Sequence, residues 1–550
     1  MLLLETTDLE KSYKHKLIVQ LKEPLLIHSG DRIGVVGQNG AGKSTLMQML
    51  AGEEAADKGE VHVYGKISSV VQFGREAETL PSAKLQKKWG VNHKTFSSMS
   101  GGEKTRLFLA AALEKESDLL FMDEPTSHLD LNGIHQLEQE LSSFKGAVVV
   151  ISHDRAFLDK VCTKMVEIAD TVPSFYTGNY SSYQKQKEHK LTRQRFEYET
   201  YTQEKQRLKE AARAKAQKVK SMQKKPSRMS YSEAKLGKGK VKSKQAAMMK
   251  NVKAMKKRME QLEKKEKPKE MENVQFDIAK LSPVHARFAI QVKDMEKSVR
   301  QRQLFQEVSF TVKPGMKVAL TGPNGCGKTT LMNMILKGHP SVTASQALKI
   351  GYFHQNLEIV DGERTILENV SEQSPFSKMF IRTVLARMLF KREDVHKKVK
   401  VLSGGERVKT ALAKIFLGDF NLLLLDEPTN YLDIFAREAL EHVLSGYPGT
   451  ILFATHDRQL MNTVADHLLV FKEGKCLFFK GNYAAFEQQH ATEIQQEPFV
   501  GQEELLTLEL ERADLIGRLS MPGKGAEKEM HEQRYQELLQ SIQQIKQNMN

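Results

Sequence analysis

The sequence predicts an α/β protein of two repeated domains in tandem. A long basic helical hairpin joins them, and a C-terminal helical extension follows. Three observations predict this. First, a glycine-rich loop set between an apolar, strand-like run and a helical pattern occurs twice, as RIGVVGQNGAGKSTLMQML (32–50) and KVALTGPNGCGKTTLMNMIL (317–336). Second, other strings repeat in the same order: DLEKSY (8–13) and DMEKSV (294–299), SGGE (100–103 and 403–406), DEPTSHLD (123–130) and DEPTNYLD (426–433), SHDR (152–155) and THDR (455–458), TGNY (177–180) and KGNY (480–483). Third, the net charge of +15 is concentrated in one place. Residues 184–270 hold 29 basic and 10 acidic residues, and the rest of the chain is slightly acidic.

The 550 residues suit three or four units at about 150 residues per domain. Hydrophobic residues at 40% and charged residues at 27% are those of an ordinary globular protein, and no apolar run approaches the ~18 residues of a spanning helix. The start, MLLLETTDLEKS, lacks the basic flank and long apolar stretch of a signal peptide. Three cysteines, Cys162, Cys326 and Cys476, cannot build a disulfide framework. A reducing, cytoplasmic setting is the expectation.

The first domain is placed at 1–183 and the second at 284–490. Ser100 and Ser403, Glu124 and Glu427, and His153 and His456 all lie 303 residues apart, whereas Lys43 and Lys328 lie 285 apart. The first copy is therefore shorter between its glycine-rich loop and Ser100. Both loops fit GxxxxGK[ST], in which backbone N–H groups cradle phosphates at a helix N-terminus. Gly37, Asn39, Gly40, Gly42 and Thr45 complete the first loop, and Gly322, Asn324, Gly325, Gly327 and Thr330 the second. Lys43 and Lys328 would reach the β- and γ-phosphates of ATP, and Ser44 and Thr329 would hold Mg²⁺. The runs LLFMDE (119–124) and LLLLDE (422–427) read as buried parallel strands whose acids emerge at the carboxyl end. Asp123 and Asp426 are read as Mg²⁺ residues, and Glu124 and Glu427 as the groups that polarise the attacking water.

The linker is placed at 184–283. Residues 184–222 and 242–267 read as helices, with Met248, Val252, Met255, Met259 and Leu262 forming one narrow stripe, as in an antiparallel two-helix coil. Pro226, Gly237 and Gly239 mark 226–240 as the tip. Residues 211–258 contain 17 basic residues and one acid, Glu233, so a polyanion, RNA, is the expected partner. Met229, Ser230 and Tyr231 at the tip either stack on exposed bases or simply pack the turn. The extension, 491–550, holds two helix-like stretches separated by Pro522, Gly523 and Gly525.

Glycine-rich loop, SMSGGE or VLSGGE, DEPT and a following histidine, in that order in both halves, resemble the ATP-binding cassette ATPases. The resemblance implies two P-loop ATP-binding-cassette domains that pair head to tail within one monomer. Ser100, Gly101 and Gly102 would close on the second P-loop, and Ser403, Gly404 and Gly405 on the first. It adds Gln72 and Gln355 near the metal and γ-phosphate, His153 and His456 as γ-phosphate contacts, and Tyr13 as a platform for adenine. The second half has Val299 or Arg300 where Tyr13 stands in the first.

Two cassettes in one chain, a basic linker and the YTGNY and FKGNY strings resemble the ABC-F proteins. The short first cassette, long linker and extension resemble its Vga/Vml antibiotic-resistance branch. The resemblance implies an ATPase that binds the ribosome through 184–270, at 23S rRNA and P-site tRNA, with no membrane partner. It would protect the peptidyl-transferase centre from lincosamide, streptogramin A and pleuromutilin drugs, with hydrolysis driving release. The alternative is a general ABC-F translation factor for stalled or initiating ribosomes. A transporter subunit has no use for the basic hairpin, and a passive RNA-binding scaffold has no use for two complete ATP sites.

Overall fold

The computed structural model describes residues 1–70, 81–91, 99–169, 171–221, 233–262, 264–265, 286–299, 302–354, 359–496, 508, 511–513, 515–516 and 533–543. Each cassette is built on a six-stranded sheet. In the first, the order is Val172–Thr177, Lys164–Ala169, Arg32–Gly37, Ala147–Ile151, Leu119–Asp123 and Ile67–Val70, with only Val172–Thr177 antiparallel to its neighbour. The second repeats it as Lys475–Lys480, His467–Lys472, Lys317–Thr321, Thr450–Ala454, Leu422–Asp426 and Ile350–Phe353. Leu119–Asp123, Ala147–Ile151, Leu422–Asp426 and Thr450–Ala454 are buried at every position. That explains their unbroken apolar runs, since a parallel strand covered on both faces has no polar side to show. The parallel strands share one carboxyl end, where both acid-bearing DE pairs and both histidines emerge.

A smaller three-stranded antiparallel sheet flanks each cassette: Leu26–His28, Leu2–Thr6 and Val61–Val63 in the first, and Arg302–Val312, Ile290–Val299 and Val342–Ala344 in the second. The hairpin of Leu9–Tyr13 with Lys16–Leu21 completes the first cassette. Between sheet and signature the second cassette inserts two capped helices, Ile366–Ser371 and Lys378–Arg387, started by the hydroxyls of Thr365 and Ser377. The first cassette has the helix Ala83–Lys88 in that region.

The linker is an antiparallel helical pair, Tyr180–Ser221 and Glu233–Gln261. The first helix starts inside the first cassette, where Tyr180 and Tyr183 belong to the core. Leu208, Val219 and Val252 are buried along the seam, while Met248, Met255, Met259 and Leu262 are half-buried on the expected stripe. Phe196, by contrast, is 70% exposed and lies outside the seam. Glu204 pairs with Arg258 at 3.8 Å and Glu197 with Lys265 at 3.5 Å, fixing the antiparallel register.

The expectation that Gly237 and Gly239 break the chain is corrected here: the second helix runs through both. A glycine in a helix costs about 1 kcal/mol relative to alanine, too little to stop a helix anchored along its C-terminal half by packing. Met229, Ser230 and Tyr231 lie outside the described residues.

The helix Tyr483–Gln496 runs across residue 490 into the extension. There Leu515, Leu538 and Ile542 are buried, and Arg534 bonds Glu511 at 3.1 Å.

Candidate functional site: two composite ATP sites

Each P-loop turns from strand to helix through a glycine that no other residue can replace without strain. Gly42 has φ +96°, and a Cβ there would sit 2.4 Å from Val19 Cγ2. Gly327 has φ +107°, with the Cβ 2.8 Å from Phe305 Cε1. Helices Lys43–Leu50 and Lys328–Leu336 start immediately after them, so their free N–H groups face the loop. Gly40 and Gly325 also take positive φ. Gly37 and Gly322 press so closely on the neighbouring strand that a Cβ would meet Ile168 O at 2.7 Å and Phe471 Cβ at 2.7 Å.

Lys43 is buried, its Nζ donating to the carbonyls of Gly37 (2.9 Å) and Gln38 (3.1 Å). Lys328 makes the same bonds to Gly322 (2.9 Å) and Pro323 (3.3 Å) and lies 3.0 Å from His456 Nε2. The next residues, Ser44 and Thr329, donate their hydroxyls to Asp123 and Asp426, which burial otherwise pushes up in pKa. A hydroxyl and a carboxylate beside a phosphate cradle are the donor set that Mg²⁺ takes in P-loop sites, where phosphate oxygens and water supply the remaining ligands. The residues present therefore fit that ion.

Glu124 and Glu427 stand at φ +51° and +49°, a conformation that non-glycine residues hold only when the surroundings impose it. Their N–H groups are tied to Ile151 O (2.9 Å) and Ala454 O (3.0 Å). His153 Nε2 lies 3.4 Å from Glu124 Oε1, and His456 Nε2 lies 3.6 Å from Glu427 Oε1. Burial pushes both carboxyls up to about 7. Burial likewise holds His153 well below its usual value and His456 at about 3, helped by Lys43 and Lys328. Both imidazoles are therefore neutral near pH 7. Tyr13 ends the strand Leu9–Tyr13, half-exposed above Lys43–Leu50, with its hydroxyl bonded to Glu54 and Thr45. At the same hairpin position the second cassette has Val299, opposite Arg302.

The signature serines cap helices. Ser100 and Ser403 begin Gly101–Glu114 and Gly404–Phe416, each in a reciprocal capping box with Glu103 or Glu406. That is the local reason for the glutamate in SGGE. Each signature faces the opposite P-loop. A Cβ on Gly102 would lie 3.5 Å from Asn324 Nδ2, and one on Gly405 would lie 3.4 Å from Asn39 Nδ2.

The P-loops are also bonded directly to the other cassette. Asn39 N–H donates to Asp433 Oδ2 (2.8 Å) and its amide to Tyr431 O (3.3 Å). Asn324 N–H donates to Asp130 Oδ2 (3.3 Å) and its amide to His128 O (3.0 Å). A cavity of about 860 Å³ between the cassettes is lined from both sides by Lys43, Glu124, His153, Gly102, Gly405 and His456, among others. Gln72 and Gln355 lie outside the described residues.

The family model described as ABC transporter matches residues 24–87, 75–127 and 305–430. The chain is 34% identical over 533 residues to the ribosome protection protein VmlR of Bacillus subtilis (strain 168), covering 94% of each. This chain is a member of the ABC-F family. It is an ATPase of two ATP-binding cassettes. This ABC-F chain is also 34% identical to the erythromycin resistance ATP-binding protein MsrA of Staphylococcus epidermidis, over 80% of this chain and 92% of the relative. It is 30% identical to the energy-dependent translational throttle protein EttA of Escherichia coli (strain K12), over 84% and 90%. Among the described residues of the ABC-F chain, no helix is long and apolar enough to cross a membrane.

Sequence reasoning left several residues of the ABC-F interface unassigned. Asp130 and Asp433 close DEPTSHLD and DEPTNYLD; each caps the helix that follows and bonds the opposite P-loop. Arg155 and Arg458 close SHDR and THDR; each reaches a buried glutamate of the other cassette, Glu441 and Glu138. The repeat itself was the signal, since the aspartate, the arginine and the glutamate each recur at the 303-residue spacing.

Proposed function

We propose that this ABC-F ATPase binds the ribosome and protects it from drugs acting at the peptidyl-transferase centre. The observation that carries this reading is the hairpin: of the 17 basic residues that stand against one acid over 211–258, 14 lie on the described helices Tyr180–Ser221 and Glu233–Gln261, the first of them rooted in the cassette core. Charge of a single sign on a rigid arm suits a phosphate backbone read by shape, as in RNA. The names of VmlR and MsrA support the drug-protection reading. We keep the division at 1–183, 184–283, 284–490 and 491–550 as the domain plan, with the second linker helix starting at 233.

In the proposed cycle each P-loop holds the phosphates of ATP against the opposite signature. Lys43 and Lys328 contact the β- and γ-phosphates, with Gly37, Asn39, Gly40, Gly42 and Thr45, or Gly322, Asn324, Gly325, Gly327 and Thr330, donating around them. Ser44 with Asp123, and Thr329 with Asp426, would hold Mg²⁺, assisted by Gln72 and Gln355. That ion offsets the negative charge of the phosphates. Tyr13 offers adenine a ring on the first side only. The carboxylate of Glu124 or Glu427 accepts a hydrogen bond from the water and orients it on the γ-phosphorus. Neutral His153 or His456, beside that carboxylate, donates to the γ-phosphate. Ser100–Gly102 and Ser403–Gly405 supply hydroxyl and N–H donors from the other side. Hydrolysis removes the group both cassettes share, the pair loosens, and the protein leaves.

The test is expression in a drug-susceptible bacterium lacking its own resistance factor. Minimum inhibitory concentrations of lincomycin, a streptogramin A and a pleuromutilin are measured for the wild type and Glu124→Gln/Glu427→Gln. A rise with the wild type alone is expected. No rise for any drug, with ample protein bound to ribosomes, moves the assignment to a general translation factor, the reading that the name of EttA favours.

A further inference from the structure

The two composite ATP sites differ at one interface position. Arg437 lies in the first turns of the second-cassette helix Ile434–Gly446 and points across the interface. Its Nη1 donates to the backbone carbonyl of His153 in the first cassette (3.3 Å). The guanidinium is held by its own cassette, with Nε donating to Leu432 O (3.1 Å) and Nη1 facing Asp457 Oδ2 at 3.4 Å. It is 16% exposed. The residue 303 positions earlier is Ile134, 3% exposed and packed in the first-cassette core. An isoleucine has no donor for the carbonyl of His456.

We infer that Arg437 is a trans-acting positioning residue for the first ATP site, holding the His153 backbone from the opposite cassette, and that the second site lacks this device because Ile134 stands in its place. The geometry explains how. The planar guanidinium is clamped at Leu432 and Asp457, so its remaining N–H is aimed with little freedom. The carbonyl it holds belongs to the residue whose imidazole lies beside Glu124. Docking of the second cassette therefore sets the His153 backbone of the first site through a contact that Ile134 cannot make at the second. The groups facing Glu124 are Arg437, Asp123, Lys43 and His153. Those facing Glu427 are Lys328, Asp426, His456 and Asp457. The cation from the other cassette is present in the first set alone. The first site thus depends on interface closure through one contact more than the second, and the two sites turn over non-equivalently.

The inference rests on the reading of Glu124 and Glu427 as the water-orienting groups, and its test separates the two. Single-turnover ATP hydrolysis is measured with full-length protein in excess. Glu427→Gln leaves the first site as the hydrolysing one, and Glu124→Gln leaves the second. Into each goes Arg437→Ile, and separately Arg437→Lys. In the Glu427→Gln background Arg437→Ile is expected to cut the hydrolysis rate about tenfold, the scale of a slightly misplaced catalytic group, while the ATP concentration for half-saturation moves less than about twofold. The loss is expected to be several times smaller in the Glu124→Gln background. Arg437→Lys, which keeps a donor and a charge, is expected to recover part of the rate at the first site. Equal losses in both backgrounds, or a change in half-saturation that accounts for the loss, would overturn the inference. Hydrolysis persisting in Glu124→Gln/Glu427→Gln would instead overturn the glutamate assignment, and the inference with it.

Discussion

Arg155 of the first cassette and Glu441 of the second form a buried ion pair across the cassette interface, and Arg458 and Glu138 repeat it at 2.5 Å on the other side of a local two-fold. Each arginine lies two residues beyond a site histidine. Each glutamate lies on the helix that Asp433 or Asp130 caps. One polypeptide thus reproduces the self-complementary interface of a symmetric dimer.

These pairs should hold the cassettes in register more than they add net stability. Removing one partner strands a buried charge and costs about 3–5 kcal/mol, whereas replacing both with apolar residues of similar size is near neutral. Thermal melting of Arg155→Met, Glu441→Met and the double variant checks this. The singles should melt well below the wild type and the double above either single. A double variant as unstable as the sum of the singles would show that the two side chains act independently of each other.

ATP hydrolysis should rise through neutral pH. Glu124 and Glu427 must be ionised to orient water, and burial pushes both up to about 7. The carboxylate fraction grows as pH passes that value, so rate increases from pH 6 to 8, with an acidic limb centred near 7. An ordinary carboxylate would give a limb near 4 and a flat rate across this range. A single-turnover pH profile distinguishes the two.

Gly42→Ala should disable one ATP site and leave the other. The new Cβ meets Val19 at 2.4 Å, and alanine resists φ +96°. Such strained positions cost about 1–3 kcal/mol, and the P-loop can relieve the strain only by moving its N–H groups off the phosphates. Titration with a fluorescent ATP analogue should show stoichiometry falling from two to one. Gly327→Ala should do the same on the other side, and a loss of both sites from either change would contradict the separateness of the two loops.

Ribosome binding through the hairpin should be strongly salt-dependent. Lys244, Lys250, Lys253 and Lys257 are exposed on the second linker helix. Every lysine–phosphate pairing removed should lower the slope of log affinity against log salt by about 0.7–0.9, so the fourfold Lys→Gln variant should lower it by up to about 3.6. Glutamine keeps helix propensity, so circular dichroism should be unchanged. An unaltered slope would place the phosphate-binding residues elsewhere on the chain.

What the sequence disclosed and what it hid divide along a physical line. Phosphate cradling needs glycines, a lysine and a hydroxyl within nine consecutive residues, so Gly37–Thr45 and Gly322–Thr330 could be read locally. The apolar runs of Leu119–Asp123 and Leu422–Asp426 declared buried strands in the same way. Arg437 belongs to a site whose histidine is 284 residues away, and nothing near it in sequence marks it as more than a surface arginine. Arg155 and Glu441 were legible in principle, because Arg458 and Glu138 repeat both, but reading them requires pairing across copies rather than within one. Gly237 and Gly239 misled because local propensity is a weak force beside the packing of a long hairpin.

The root of the first linker helix is fastened to both halves of the molecule. Tyr183 stacks edge-on to Tyr176 of the first cassette at 4.9 Å, while the Tyr180 hydroxyl and Gln184 amide both bond Glu438 of the second, each at 2.9 Å. From that anchorage the helix runs 42 residues, about 63 Å at 1.5 Å per residue. It is a lever with its fulcrum at the seam between the cassettes: a tilt of about 10° at the base sweeps the far end through about 11 Å, roughly two helical turns. Any change of tilt at that root, where Glu438 bonds both Tyr180 and Gln184, would be magnified in proportion at the distant end.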